Sequence, residues 1–332
     1  MTQSNQMRAA VVHALREPPR CRPFPRPAPL HGESLITVRA AGLHQLVRTI
    51  ARGDHLAGRG ELPFIAGIDG VGALDTGARV YFGVPRFPFG TMAEQTVAPR
   101  QLCFALPDAA DAHLVAAAMN PLLSSWTALS WRAALAPGET VLILGATGVA
   151  GRLAIQVARR LGAGRILAAG RDPSAFPALR ALGADAVISL DTDADTWTAA
   201  LRDAAGDGID IVLDYLWGPP TEALLRMLTQ PPAGHSALVQ RARTRPTRLV
   251  EVGEMAGRTL ELHAAAIRAA DITICGSGGG SVPVALYIQA IPALLERLAR
   301  REFALDVDPV PLEHVDDAWN QPRRGRRAVV IL

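Results

Sequence analysis

Residues Val141 to Gly151 read V-L-I-L-G-A-T-G-V-A-G, an apolar run that breaks into glycine at Gly145, Gly148 and Gly151 and passes directly into a helical pattern, Arg152 to Leu161. Residues of these types at this spacing can hold a dinucleotide. A strand ends, and the glycines let the backbone turn tightly and come close to a pyrophosphate. The next helix offers the phosphates its unpaired N–H groups and positive dipole end. The helix is predicted from its apolar face, where Val149, Leu153, Val157 and Leu161 recur every fourth residue beside Ala150, Ala154 and Ala158, with Arg159 and Arg160 expected in solvent. Gly162 and Gly164 should end it. A second strand, Arg165 to Ala169, follows Gly145 by about 20 residues, the interval a dinucleotide-binding unit requires. The alternative is a doubly wound domain that holds no ligand.

The end of that second strand selects the coenzyme. NAD-binding chains usually carry Asp or Glu there to accept hydrogen bonds from the adenosine ribose, whereas this chain has Gly170 followed by Arg171. Without a carboxylate nothing repels a 2′-phosphate, and a guanidinium can grip one through two hydrogen bonds. Asp172 precedes Pro173 and reads as a turn or cap residue. The expected coenzyme is therefore NADPH; the plainer alternative is an exposed arginine with no ligand.

The elements that must position these residues fall into two patterns. From Met7 to Arg100 the pieces M-R-A-A-V-V-H, L-I-T-V-R-A-A, V-G-A-L-D, A-R-V-Y-F-G and M-A-E-Q-T-V-A are strand-like and separated by Pro and Gly, as in a β-rich domain. From Asp108 to Gly276 helical stretches alternate with the strands V-L-I-L, R-I-L-A-A, D-A-V-I-S-L, I-D-I-V-L-D, R-L-V-E-V-G and D-I-T-I-C-G. That alternation predicts an α/β fold with a doubly wound parallel sheet and a crevice at its carboxyl edge. A helix from Val284 to Arg301, then L-D-V-D-P-V-P-L and a closing A-V-V-I-L strand, should return to the β-rich part. The expected division is residues 1–118 with 277–332 for the β-rich domain and 119–276 for the nucleotide-binding domain.

Composition sets bounds. A chain of 332 residues fits two domains, and 49% hydrophobic with 20% charged residues describes a soluble globular protein. No apolar run approaches about 18 residues, and the opening M-T-Q-S-N-Q lacks a basic segment before an apolar one, so no membrane partner is expected and the cytoplasm is the expected location. The cysteines, Cys21, Cys103 and Cys275, are far apart and fit a reducing compartment. All 34 Lys+Arg residues are Arg, which excludes Schiff-base chemistry, pyridoxal phosphate attachment and a phosphate-loop lysine. The net charge is +3, and the arginines cluster only at Arg241, Arg243, Arg245 and Arg248 and at Arg323, Arg324, Arg326 and Arg327. Both clusters lie in turn-like segments and read as solvated surface, so no nucleic acid is expected as a partner.

The order of M-R-A-A-V-V-H, V-R-A-A-G-L-H, P-F-I-A-G-I-D-G-V-G, G-T-M-A-E-Q-T-V, A-P-G-E-T-V-L-I-L-G-A-T-G-V-A-G, L-G-A-D-A-V-I, V-L-D-Y and G-R-R-A-V-V-I-L resembles the quinone oxidoreductase branch of the medium-chain dehydrogenase/reductase superfamily, nearly end to end. The resemblance implies a Rossmann domain inserted in a GroES-like β-rich domain formed by both chain ends. It also implies a homodimer paired through the last Rossmann strand, here Ile272 to Gly276. Residue by residue, it places Thr147, Gly148, Val149 and Ala150 at the pyrophosphate and Gly170 with Arg171 at the 2′-phosphate. Ser124 matches a family threonine near the nicotinamide, and Asp214 with Tyr215 and Leu216, Val252 with Gly253, and Gly276 with Ser277 fall at strand ends that line the nicotinamide half.

The superfamily contains zinc enzymes and zinc-free reductases. A catalytic zinc needs about three protein ligands and a structural zinc needs four thiolates close in sequence. Where zinc enzymes carry G-H-E this chain has Gly67-Ile68-Asp69, and where they carry a cysteine it has Leu43-His44-Gln45, so no metal is expected. Two departures from the quinone oxidoreductase pattern stand out. His44 replaces an asparagine of G-V-N-P close to the expected hydride-transfer site, where it would orient a carbonyl or deliver a proton; a hydrogen-bonded structural histidine is the alternative. The stretch Pro231 to Thr247 is longer than usual, either a surface flap or a tolerated insertion. The expected reaction is hydride transfer from NADPH to a quinone or an α,β-unsaturated carbonyl, with His44, Tyr81 and backbone amides as candidate donors to the oxygen that gains charge. Three other readings stay open: an enoyl reductase of a biosynthetic pathway, a catalytically silent NADPH-binding sensor or structural protein, and RNA binding through the arginine clusters.

Overall fold

The computed structural model describes residues 5–55, 61–229, 246–321 and 324–332. Most of the stretch read as a flap or an insertion, residues 231–245 with Arg241, Arg243 and Arg245, lies outside these residues, as does Arg323. In chain order the elements are β1 (Gln6–Val12), β2 (Arg20–Pro25), β3 (Glu33–Gly42), α1 (Gln45–Ala51), β4 (Phe64–Ile65), β5 (Asp69–Leu74), β6 (Arg79–Gly83), β7 (Gln95–Pro99), β8 (Cys103–Ala105) and α2 (Ala112–Thr127). There follow β9 (Thr140–Leu144), α3 (Val149–Arg160), β10 (Arg165–Gly170), α4 (Phe176–Ala181), β11 (Ala186–Ser189), α5 (Ala194–Ala205), β12 (Ile211–Asp214), α6 (Pro219–Thr229), β13 (Thr247–Glu251), α7 (Ala264–Ala269) and β14 (Ile272–Gly276). The chain closes with α8 (Val284–Ala299), β15 (Asp306–Pro311), α9 (Val315–Asn320) and β16 (Arg326–Ile331).

Two units result, Met1–Asn120 with Ile288–Leu332, and Pro121–Tyr287. The second unit keeps Ser277 to Tyr287, a stretch the sequence suggested for the β-rich part.

The first unit is built on a seven-stranded sheet, β15-β16-β3-β5-β6-β8 with β7 also on β3, and a three-stranded sheet, β2-β1-β4. Pairing is antiparallel except between β15 and β16. Apolar residues on alternate positions of β3, such as Ile36, Val38 and Ala40, are buried, as period-two patterning requires for a sheet with one face on the core. β2 carries Pro23 and Pro25, which lack a ladder donor, and among the described residues it accordingly occupies a sheet edge, paired with β1.

The second unit holds a six-stranded sheet of order β11-β10-β9-β12-β13-β14, parallel throughout. Chain order reverses between β9 and β12, which is the switch point where doubly wound sheets open a crevice at their carboxyl edge. The strands end level: Ala169 and Asp214 both pair with Leu144, Asp214 pairs with Glu251, and Glu251 with Gly276. Leu142, Leu144, Leu167, Val212 and Leu249 form its core with Trp197 and Leu201 of α5. Val149, Leu153 and Val157 of α3 are buried as its periodicity predicts, while Arg159 reaches the Gly183 carbonyl and Asp185 instead of extending into water.

Candidate functional site

Leu144 is the last buried residue of β9, and Gly145 turns the chain with a φ of +87°, a value that favours glycine. The amides of Gly145 and Ala146 both donate to the Ala169 carbonyl, which ties the turn to β10. A β-carbon on Gly151 would sit 2.5 Å from the Ala146 Cα and from the Gly145 oxygen, so this glycine is what lets α3 press against the turn. Gly148 differs. A β-carbon there would meet only the Gly145 oxygen at 3.5 Å and otherwise project into open space, which is the kind of concavity a phosphate fills. Gly148 also caps α3 without a side-chain hydrogen bond, and the first turn contains no acidic residue. The helix's early N–H groups and dipole thus have no carboxylate of their own turn to answer them.

At the neighbouring strand end, a β-carbon on Gly170 would lie 2.5 Å from the Thr147 Cγ2, so Thr147 rests directly on the end of β10. Arg171 follows, exposed to solvent. Asp172 accepts hydrogen bonds from the Ser174 amide at 3.2 Å and hydroxyl at 2.6 Å, and is engaged in its own turn.

Beyond the switch point, Tyr215 and Leu216 lie against the turn: a β-carbon on Gly145 would be 3.1 Å from the Leu216 Cδ2 and 3.3 Å from the Tyr215 Cβ. Their placement depends on buried Asp214. Its Oδ1 accepts from the Leu216 and Trp217 amides at 2.8 and 3.0 Å, and its Oδ2 from the Thr221 hydroxyl at 2.5 Å. Burial raises the Asp214 pKa, and these three donors partly counter the rise. The Tyr215 hydroxyl lies 2.8 Å from the Ser125 hydroxyl, which donates its own proton to the Pro121 carbonyl at 2.8 Å; the tyrosine is therefore the donor of the pair. Burial pushes the Tyr215 pKa well up. Val252 and Gly253 donate their amides to the Asp214 carbonyl, and Ser277 donates its amide to the Glu251 carbonyl, next to Gly276. Ser124, half-buried on α2, precedes the residue that meets Tyr215. Asp214 was expected at this strand end together with Tyr215 and Leu216, whereas Ser125, which meets the Tyr215 hydroxyl, and Glu251, which accepts the Ser277 amide, were not singled out from the sequence.

The first unit gathers a separate group. His44 caps α1 and is 1% exposed, with its Nε2 3.0 Å from the Asp69 Oδ1, a contact whose direction falls short of a hydrogen bond. The ring lies over Gly42, where a β-carbon would be 2.4 Å from Nε2. Tyr81 on β6 donates its hydroxyl to the other Asp69 oxygen at 2.9 Å. Burial lowers the His44 pKa more than Asp69 raises it, and burial followed by the Asp69 charge raises that of Tyr81. Arg327 donates to the Leu43 carbonyl at 2.8 Å, and burial brings its pKa down to about 10. His44 and Tyr81, expected as separate donors, thus share one buried carboxylate.

His44 and Asp69 make a pair, and among the described residues no group of three or more His, Cys, Asp or Glu could hold a metal ion. A dinucleotide does fit the second unit, because the space over Gly148 and the early amides of α3 are shaped for phosphate.

The strand order and the glycine-lined carboxyl edge define a doubly wound α/β protein. The family described as zinc-binding dehydrogenase matches residues 149–300. A probable NADPH-dependent quinone reductase, tdiC, from Emericella nidulans is 29% identical, over 98% of this chain and 100% of its own. The quinone oxidoreductase of Thermus thermophilus, solved alone and in complex with NADPH, is 27% identical with a TM-score of 0.79, covering 98% of this chain and 100% of that one. A trans-enoyl reductase, pgmF, from Aspergillus terreus is 29% identical over 40% of this chain and 38% of its own. These likenesses support the medium-chain dehydrogenase/reductase superfamily, in its quinone oxidoreductase branch, and an oxidoreductase class for the chain.

Proposed function

We propose that this protein is an NADPH-dependent reductase of quinones or α,β-unsaturated carbonyls that works without zinc. The observation that carries the reading is the glycine-shaped edge: open space over Gly148, early amides of α3, and Gly170-Arg171 where a carboxylate would exclude a 2′-phosphate. Bound NADPH supplies a hydride from C4 of its nicotinamide to an electrophilic carbon or oxygen of the acceptor. The chain's own work is to bind and orient. Thr147, Gly148, Val149, Ala150 and Gly151 would hold the pyrophosphate, and Gly170 with Arg171 the 2′-phosphate. Ser124, Gly145, Tyr215, Leu216, Val252, Gly253, Gly276 and Ser277 would shape the nicotinamide half, with Asp214 fixing the turn that carries Tyr215 and Leu216.

His44, neutral at pH 7, would serve as donor to the acceptor oxygen. Tyr81, whose proton is committed to Asp69, would act through that carboxylate. Among the described residues no helix is long and apolar enough to cross a membrane, in keeping with a cytoplasmic protein. Among the described residues β14 pairs with β13 alone and leaves Thr273 and Ile274 exposed, and an edge of this kind supports a homodimer.

The test is NADPH oxidation against a panel of quinones, enones and enoyl thioesters, with NADH as control. Turnover of quinones or simple enones supports the proposal. Turnover confined to enoyl thioesters supports the second reading, a biosynthetic enoyl reductase, which the trans-enoyl reductase match favours. NADPH binding with no turnover on any acceptor refutes both and leaves a sensor or structural role.

A further inference from the structure

We propose that Arg152 is a second cation for the coenzyme's 2′-phosphate, opposite Arg171, and so a determinant of coenzyme choice. The inference rests on the NADPH reading and adds a residue to it.

Arg152 is the fourth residue of α3, half-buried. Its Nε donates to the Thr147 carbonyl at 3.2 Å, and among the described residues its two Nη groups have no partner. The direction of this side chain follows from its own helix face. Arg152, Gln156 and Arg159 fall on one stripe at i, i+4 and i+7. Two turns on, Arg159 donates to the Gly183 carbonyl at 2.7 Å and to the Asp185 Oδ2 at 2.6 Å, and the same carboxylate oxygen accepts from the Ile166 amide of β10 at 2.7 Å. The stripe therefore lies over β10 and the approach to β11, on the side of β9 away from β12. Because α3 runs back from the carboxyl edge, Arg152 stands at the top of that stripe, beside the strand end where Thr147 rests on Gly170 and Arg171 follows.

The charge is out of place for the fold alone. A cation in the first turn of a helix opposes the dipole, and no acidic residue of that turn compensates it. A local conflict of this kind is expected where a ligand supplies the missing charge. A phosphate monoester dianion has three oxygens, enough to accept a fork from each of two guanidinium groups. Held at Nε by Thr147, Arg152 is oriented before the ligand arrives.

The experiment is titration of the full chain with NADPH, NADH and 2′,5′-ADP, comparing wild type with Arg152→Met and Arg152→Gln. Glutamine keeps a donor for the Thr147 carbonyl, so a merely structural role for that contact would survive in it. Both variants should lose about tenfold or more in affinity for NADPH and 2′,5′-ADP and stay within about twofold for NADH. NADPH affinity within about twofold of wild type in both variants overturns the proposal. An equal loss for NADH also overturns it, because the arginine would then serve the pyrophosphate. A wild type that shows no preference for NADPH over NADH defeats the underlying NADPH reading instead.

Discussion

Removing Arg171 should change coenzyme choice without touching the fold. Its guanidinium is exposed and makes no hydrogen bond or ion pair among the described residues, so Arg171→Ala deletes no contact of the folded protein and should leave the melting temperature unchanged. What it deletes is the contact with the coenzyme's third phosphate. A charge-assisted hydrogen bond contributes roughly 1.5 to 3 kcal/mol, and water around an exposed guanidinium moves the value toward the lower figure. At about 1.4 kcal/mol per factor of ten, the NADPH Michaelis constant should rise about tenfold, and up to about a hundredfold if bound adenosine shields the pair. That for NADH should barely move. The assay is steady-state kinetics with both coenzymes at low and high ionic strength, where added salt should shrink the difference between wild type and variant. Equal losses with NADPH and NADH, or no loss with either, would refute the assignment.

Gly148 and Gly151 should separate binding from stability. Gly148→Ala places a methyl group in open space at an ordinary φ, so it should melt like wild type yet lose NADPH affinity by about tenfold, measured by fluorescence titration. Gly151→Ala drives its methyl into Ala146 and should cost about 1 to 3 kcal/mol in urea unfolding. If His44 is the donor, His44→Ala should lower kcat by about a hundredfold, whereas turnover within a few-fold of wild type assigns it to structure. Because burial depresses the His44 pKa, the unfolded chain takes up the proton first as pH drops below about 6.5. Stability from this group is complete above that value and is lost as pH falls toward the folded pKa, so melting temperature measured against pH should fall less steeply in His44→Asn. Dialysis against a strong zinc chelator should leave turnover unchanged; a loss restored by zinc would overturn the metal-free reading.

The nucleotide-binding edge was legible because its signals are local. Gly145, Gly148 and Gly151 stand within one turn, and the strand patterns of β9 to β14 are short apolar runs closed by glycine or aspartate. What escaped depends on long-range placement. β2 did not look like a strand because Pro23 and Pro25 break the pattern, and only its position on a sheet edge makes them harmless. Helix α1 is seven residues long, too short for periodicity to show. Asp69 looked like a degenerate metal position, and no spacing reveals that the β5–β6 pairing brings the Tyr81 hydroxyl to it while β3 delivers His44. Arg159 looked solvent-facing because arginine on the outer side of an amphipathic helix usually is. The α4–β11 connection, remote in sequence, turned out to supply its partners.

The proposal makes the carboxyl edge of the six-stranded sheet a seat for NADPH. Titrating the wild-type chain with NADPH and NADH under identical buffer and salt tests it most directly. Saturable binding of NADPH, at least about tenfold tighter than NADH, is the predicted result. No binding of either coenzyme, or equal affinity for the two, would contradict it.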